Sequence, residues 1–337
     1  MLPTNKMLNI FYQEPDPDRW LIFDRYPRRI IRRILHGKTR PGGVMMIALQ
    51  LLKGLDKIGI PYRFNDYTFI KKHPHEIACL IGKPHLLDHH HWKNPILFGA
   101  GIFSHPNDQP ELFTKYPSIQ KILVPGNWMY NMFYPFYADK MCIWPVGIDT
   151  DYWIPDPLKS TFDFLIYNKI LWDKKSKYRM LLQPILDTLE AQNCSYQIIN
   201  YGSYNHETLL KKTRQSKAII YLCEHETQGM ACQQMMATDT PVLAWDKGGF
   251  WEDPSYYPHK VQYEPVSSVP YWEDRCGLKF KNMIEFPSRL KLFLNLLDQN
   301  KFSPRSYIME NLSLEVCAYK YLDIYNQVQQ NLSCNEL

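Results

Sequence analysis

Residues Ala218 to Gly249 constrain the fold more than any other stretch of the chain. Ala218-Ile219-Ile220-Tyr221-Leu222 is an apolar, β-branched run with the length of a buried strand. A short acidic loop follows with Glu224 and Glu226, then Gly229, then a helix-forming segment from Met230 to Ala237. Thr240-Pro241 breaks that helix, and Val242-Leu243-Ala244 reads as the next strand. Strand, turn, helix and strand in so few residues make a βαβ unit. Its ligand crevice is expected outside the carboxyl end of the first strand, where Glu226 and Gly229 stand.

The chain has 337 residues, too many for one ordinary core and enough for two domains. A net charge of +5 is small for this length and gives no argument for a nucleic-acid partner. The charge is uneven, however. Between Arg25 and Arg40 stand Arg28, Arg29, Arg32, Arg33 and Lys38, interleaved with Ile30, Ile31, Ile34 and Leu35. This is the outline of a basic amphipathic helix. It suits peripheral contact with an anionic membrane, or a helix packed on its own domain with arginines in water. No apolar run approaches the roughly 20 residues of a membrane span, and the start of the chain lacks a signal peptide's apolar core. Eight cysteines without a CxxC pair fit reduced thiols and a cytoplasmic setting, peripheral to a membrane if the basic segment binds one. His85 and the tract His89-His90-His91 read as a solvated loop, since three adjacent histidines cannot converge on one metal ion.

The first half opens with a strand, Leu8 to Tyr12. Further on, Gly42-Gly43 leads into a helix with Met46, Leu49, Leu52 and Leu55 at helical spacing, closed by Gly59. Strands are expected at 61–64, 77–82, 95–100 and 121–124. The loop after the third of these carries His105 at a strand's carboxyl end. Ile143 to Pro155 then reads as a strand leaving one domain through a turn at Gly147, with Pro145 and Pro155 stiffening a linker at 147–160. The second half restarts with a strand at 162–167, followed by Lys169, Lys174 and Lys175, cations placed between a strand and a helix as a diphosphate site requires. Ser195 to Asn200 is the next strand, and its turn at Tyr201-Gly202 forms a wall suited to a nucleotide base. These signals give domains at 1–150 and 151–312. A final helical segment, 313–337, is placed to cross back to the first.

In order, these motifs resemble those of the retaining glycosyltransferases of family 4, which have the GT-B fold. Glu226, Gly229, Pro241-Val242 and Gly248-Gly249 match the family's nucleotide-sugar motif, while Gln234 stands where a second Glu is usual. Pro145, Gly147, Ile148, Asp149, Trp153 and Pro155 match its linker signature. Lys169 takes the place of a phosphate-binding Arg, and Lys174 that of a Lys five residues on, with Lys175 a rival shifted by one residue.

The resemblance implies an α/β fold of two Rossmann-like domains facing each other across a cleft. It also implies metal-independent transfer of a sugar from a nucleotide-diphosphate donor to an acceptor hydroxyl, with retention at the anomeric carbon. No cofactor is implied beyond that co-substrate. Glu226, His105, Lys169 and Lys174 would be the catalytic groups. Gly42, Gly43, Gly229, Met230, Gln234 and Gly202 would bind the donor. The acceptor would be a carbohydrate, a lipid-linked sugar or a small molecule. Gln for Glu at 234 keeps a hydrogen-bond acceptor but loses its charge. It is the main support for an alternative, an inactive GT-B protein that only binds sugars or nucleotides.

Overall fold

A computed structural model of the chain describes residues 7–14, 43–156 and 161–335. The basic segment Arg25–Arg40, Gly42 and linker residues 157–160 lie outside the described residues.

Alternation of short apolar runs with helical segments produces two separate parallel sheets. The first contains β1 (Leu8–Phe11), β2 (Tyr62–Phe64), β3 (Ala78–Leu80), β4 (Ile96–Gly99), β5 (Ile119–Val124) and β6 (Met141–Ile143). Their order across the sheet is β2-β1-β3-β4-β5-β6. β1, β3 and β4 are buried throughout, as expected for strands covered on both faces. The helix Gly43–Lys57 buries Ala48, Leu51 and Leu55, a stripe at helical spacing. The second sheet contains β7 (Phe162–Lys169), β8 (Tyr196–Asn200), β9 (Ser216–Cys223), β10 (Val242–Trp245) and β11 (Gly277–Phe280), in the order β11-β10-β9-β7-β8. One of its cores packs Phe164, Ile166, Ile220, Leu222, Leu243, Phe280, Phe286 and Phe293. Each such side chain stabilises the fold by about 1.5–3 kcal/mol relative to exposure.

By its internal packing the chain divides into two units. Met1–Pro125, Phe133–Trp144 and Cys317–Leu337 form one; Gly126–Met132 and Pro145–Val316 form the other. The last helix, Leu314–Asn335, joins the first unit from Cys317 on, where the Trp144 indole donates to the Cys317 carbonyl at 2.9 Å and its ring meets Tyr321. Among the described residues no helix is long and apolar enough to cross a membrane.

Two readings of the sequence need correction. Gly147 is not a turn residue. Its neighbour Ile148 pairs with Ser313 in a parallel bridge and donates its N–H to the Leu312 carbonyl at 2.8 Å. A Cβ at 147 would lie 2.7 Å from the Leu314 Cα, so the glycine is there for close approach of two backbones. Nor is the histidine tract a solvated loop throughout. His85–His89 is a short helix that buries Leu86 and Leu87, and the His85 ring bonds the Gln13 carbonyl through Nε2 at 2.9 Å.

Candidate active site

In the second sheet the chain runs from β7 to β8 on one side, then returns to β9 on the other side of β7. The carboxyl ends of β7 and β9 therefore form the topological switch point, where open parallel sheets bind ligands. The register sets Lys169, the last residue of β7, beside Cys223, the last of β9. The chain leaving β9 then turns so that the Lys169 Nζ lies 2.7 Å from the Glu226 Oε1. The Tyr221 hydroxyl, projecting from β9, donates to the same oxygen at 2.7 Å. Tyr221 is fully buried, with its ring stacked on Tyr167 at 5.1 Å. Burial is the largest single influence on Lys169 and opposes its charge, but its neighbours, the Glu226 carboxylate first among them, together hold the ammonium above the ordinary lysine range. The other flank of the ammonium faces the Tyr201 ring, 4.6 Å away.

The backbone at Glu226 is held at both ends. Its N–H donates to the Ser267 carbonyl at 2.9 Å, and its carbonyl accepts the Trp128 indole N–H at 2.7 Å. Gly229 then takes φ +83°, a conformation that suits glycine, and caps the helix Met230–Ala237. Gln228 Nε2 donates to the Val146 carbonyl at 2.7 Å and to Gln233 Oε1 at 2.9 Å, so the start of this helix is fastened to the extended segment at Val146. Gln234 is buried on the same helix, and Met230 opens it.

Lys174 follows Asp173, which adopts φ +47°, and begins the short helix Lys174–Lys177. It lines a cavity of about 230 Å³ with Asn168, Ile170, Leu171, Tyr178, Leu182, Asn200 and Tyr201. Asn168 Nδ2 donates to Asn200 Oδ1 at 2.9 Å, which joins the ends of β7 and β8 at the cavity wall. Gly202, at φ +84°, turns the chain just beyond Tyr201.

Sequence reasoning missed several residues of this neighbourhood. Glu224 is nearly fully buried and accepts the N–H groups of Leu171 and Trp172 at 3.1 and 3.2 Å. It also binds the Lys177 Nζ at 3.0 Å, so Lys177 rather than Lys174 ties this helix to the acidic loop. His225 is enclosed by Trp128, Trp172 and Trp251, from three distant parts of the sequence. Alternation of aromatic and charged residues at the strand ends was the one signal available for these.

Burial pushes the His225 imidazole down to about 4, although Glu226 and Glu224 pull the other way. The unfolded chain takes up this proton below about pH 6.5, the folded chain only below about 4. Between those values the unfolded state binds more protons, so stability is lost as pH falls through the window. The wild type is expected to lose about 2–3 kcal/mol by pH 4.5 from this group alone. In His225→Gln that part of the loss should vanish. Urea midpoints at pH 7 and pH 4.5 check this; equal pH sensitivity in the two proteins would contradict it.

His105 belongs to the first unit. It is buried and caps the 3-10 turn Pro106–Asp108, its Nδ1 accepting the Asn107 N–H at 3.1 Å and its backbone N–H donating to Asp108 at 3.2 Å. Burial lowers its imidazole below the ordinary histidine range, with Asp108 pulling the other way. The resemblance makes His105 a catalytic candidate; in this loop it also caps the turn that follows it.

The two parallel sheets and their helices have the GT-B fold. A TarM mutant of S. aureus, crystallised with Fondaparinux, alpha-GlcNAc-glycerol and UDP, superposes with a TM-score of 0.53 at 14% identity, covering 83% of this chain and 59% of its own. The structure of accessory secretory protein 1, 2 and 3 from Streptococcus pneumoniae gives 0.50 at 12% identity, covering 79% and 56%. The chain thus spans less than two thirds of each of these two structures, and the likeness is one of fold. No family model matches the sequence, and no curated protein matches it.

Proposed function

We propose that the protein is a glycosyltransferase that moves a sugar from a nucleotide-diphosphate donor to an acceptor hydroxyl, with retention and without a metal ion. The observation that carries this reading is the Lys169–Glu226 pair at the switch point of the second sheet. It places a partly buried cation and a hydroxyl-binding carboxylate side by side, next to a cavity lined by Lys174 and Tyr201. As donor and acceptor exchange the sugar, negative charge grows on the departing diphosphate. Lys169, Lys174 and the N–H groups of the helix opened by Gly229 would stabilise that charge electrostatically. These cations serve where other transferases use a divalent ion, which is the basis for proposing metal independence. Glu226 would hold sugar hydroxyls and orient the ring, and Gln234 would meet the ribose. The cavity between Tyr178 and Tyr201 suits the base. The bound UDP of the TarM structure makes uridine diphosphates the first donors to try. The first unit would supply the site for a carbohydrate, lipid-linked or small-molecule acceptor.

Calorimetric titration with UDP, GDP and ADP, followed by turnover assays on the matching sugar conjugates with and without EDTA, tests the proposal. One nucleotide should bind, and its sugar conjugate should turn over equally well in EDTA. Binding of none of the three would overturn the transferase reading; loss of turnover in EDTA would overturn metal independence.

A further inference from the structure

The residue before Glu226 carries an energetic penalty that packing does not account for. The His225 ring stacks on Trp172 at 5.1 Å and 22°, and meets Trp128 edge-on at 5.6 Å and 88°. Its Nε2 receives the Trp251 indole N–H at 3.0 Å. An indole nitrogen only donates, so Nε2 is bare and the neutral ring carries its proton on Nδ1. That Nδ1–H is sealed from solvent and has no acceptor among the described residues. Buried donors without partners are rare because each forfeits its hydration. A ring kept only as filling would serve better as Phe, which has no polar atom to strand. What the imidazole adds is the bare Nε2 that holds Trp251.

Trp251 belongs to the segment 246–276, which leaves β10 and returns as β11. Two bonds close this segment on itself, from the Trp251 N–H to the Tyr263 carbonyl at 2.8 Å and from the Val266 N–H to the Gly249 carbonyl at 3.1 Å. Asp246 fixes its far arm, accepting from the Ser268 N–H at 2.8 Å and the Ser267 hydroxyl at 3.0 Å. That arm presents the Ser267 carbonyl to the Glu226 N–H. The segment therefore touches the acidic loop at two adjacent residues, through Trp251 at His225 and through Ser267 at Glu226.

We infer that His225 is a positioning residue, a single-tautomer latch that docks segment 246–276 on the acidic loop and, through Ser267, sets the Glu226 carboxylate against Lys169. Only its consequence for turnover rests on the transferase reading; the latch itself can be read without substrate. The charged groups around the ring are Glu224 and Glu226 on its own loop, Lys169 from β7 and Asp253 from the covering segment. Protonating Nε2 would set N–H against N–H and open the latch.

The test uses the full chain labelled with ¹⁵N, the Trp251 indole resonance being assigned with Trp251→Phe. His225→Phe keeps the stack but offers no acceptor. His225→Asn reaches only to the position of Nδ1, whereas His225→Gln can place an oxygen where Nε2 stands. Hydrogen exchange of the Trp251 indole and the Glu226 amide should quicken by about tenfold or more in the Phe and Asn variants, and return towards wild type in His225→Gln. In wild type the indole resonance should shift as acid protonates His225, and in His225→Gln it should not. In turnover, kcat should fall with little change in KM for the Phe and Asn variants and recover with Gln. A folded His225→Phe with wild-type exchange at Glu226, or a Gln variant no better than Asn, would overturn the latch. If His225→Phe does not fold, the Gln and Asn pair decides alone. If wild type binds no nucleotide, the transferase reading fails while the exchange results still judge the latch.

Discussion

Lys169→Met is expected to lower kcat/KM for nucleotide-sugar transfer by about 10²–10³-fold, the usual effect of removing one group aimed at transition-state charge. Its side chain is 16% exposed and that of Glu226 12%, so solvent screens neither charge well. Among the described residues, removing the ammonium leaves the carboxylate with only the Tyr221 hydroxyl as a side-chain partner at Oε1. Breaking a pair this enclosed costs about 3–5 kcal/mol of stability, so the single variant confounds folding with catalysis. The double variant Lys169→Met/Glu226→Gln separates them. It should recover most of the lost stability, because no unpaired charge remains, yet stay as slow as the single variant or slower. Lys169→Arg should keep the pair and part of the rate, since it restores the charge in a different shape. Thermal melting run beside initial rates gives both readouts. A folded Lys169→Met with a rate within threefold of wild type would remove Lys169 from the machinery.

The sequence revealed the elements of this site but not their assembly. β9, the helix Met230–Ala237 and β10 lie where the apolar run, Gly229 and Thr240-Pro241 place them, because strand length, helix start and helix stop are local properties. The Lys169–Glu226 contact joins residues 57 apart and depends on the pairing of Lys169 with Cys223. Nothing in either segment encodes that register; it is set when both strands bury their side chains against common helices. The choice of lysine is similar. Lys174 and Lys177 lie one turn apart on the same short helix, and Lys177 is set apart by Glu224, which the fold brings from just past β9, and by Glu252 at 3.9 Å. The tryptophans around His225 were visible as composition, but their convergence needs the path of segment 246–276, which has little regular structure to read. Gly147 shows the same limit. A glycine in sequence signals freedom or closeness, and only the neighbouring Leu314 backbone shows which.

Gly277→Ala should be the most destabilising single methyl added to this chain. Gly277 begins β11 directly opposite Val242 of β10, and the two strands run parallel as far as Phe280 beside Trp245. A Cβ at 277 would lie 1.9 Å from the Val242 carbonyl oxygen and 2.7 Å from its carbon, both backbone atoms. Its φ of +144° is a second obstacle, since side chains disfavour that region even in open space. Relief would require β11 to withdraw from β10, which uncovers Phe280 and the Phe286 that packs on it. The expected loss exceeds about 4 kcal/mol, in the range reserved for disrupted cores and forbidden backbone. Gly43→Ala is the matched control. It stands at the start of a helix with nothing among the described residues within 4 Å of its Cβ and no positive φ, so its effect should stay within about 1 kcal/mol, towards stabilisation. Urea unfolding followed by tryptophan fluorescence compares the two. The transition affected should be the one that reports the second sheet, where Trp245, itself on β10, donates its indole N–H to the Lys281 carbonyl just past β11. A Gly277→Ala protein that unfolds within about 1 kcal/mol of wild type would mean that β10 and β11 do not approach as closely as this register requires. Because β10 follows the helix that begins at Gly229, a donor-binding defect accompanying the loss of stability would trace to the sheet that carries the site rather than to its charged residues.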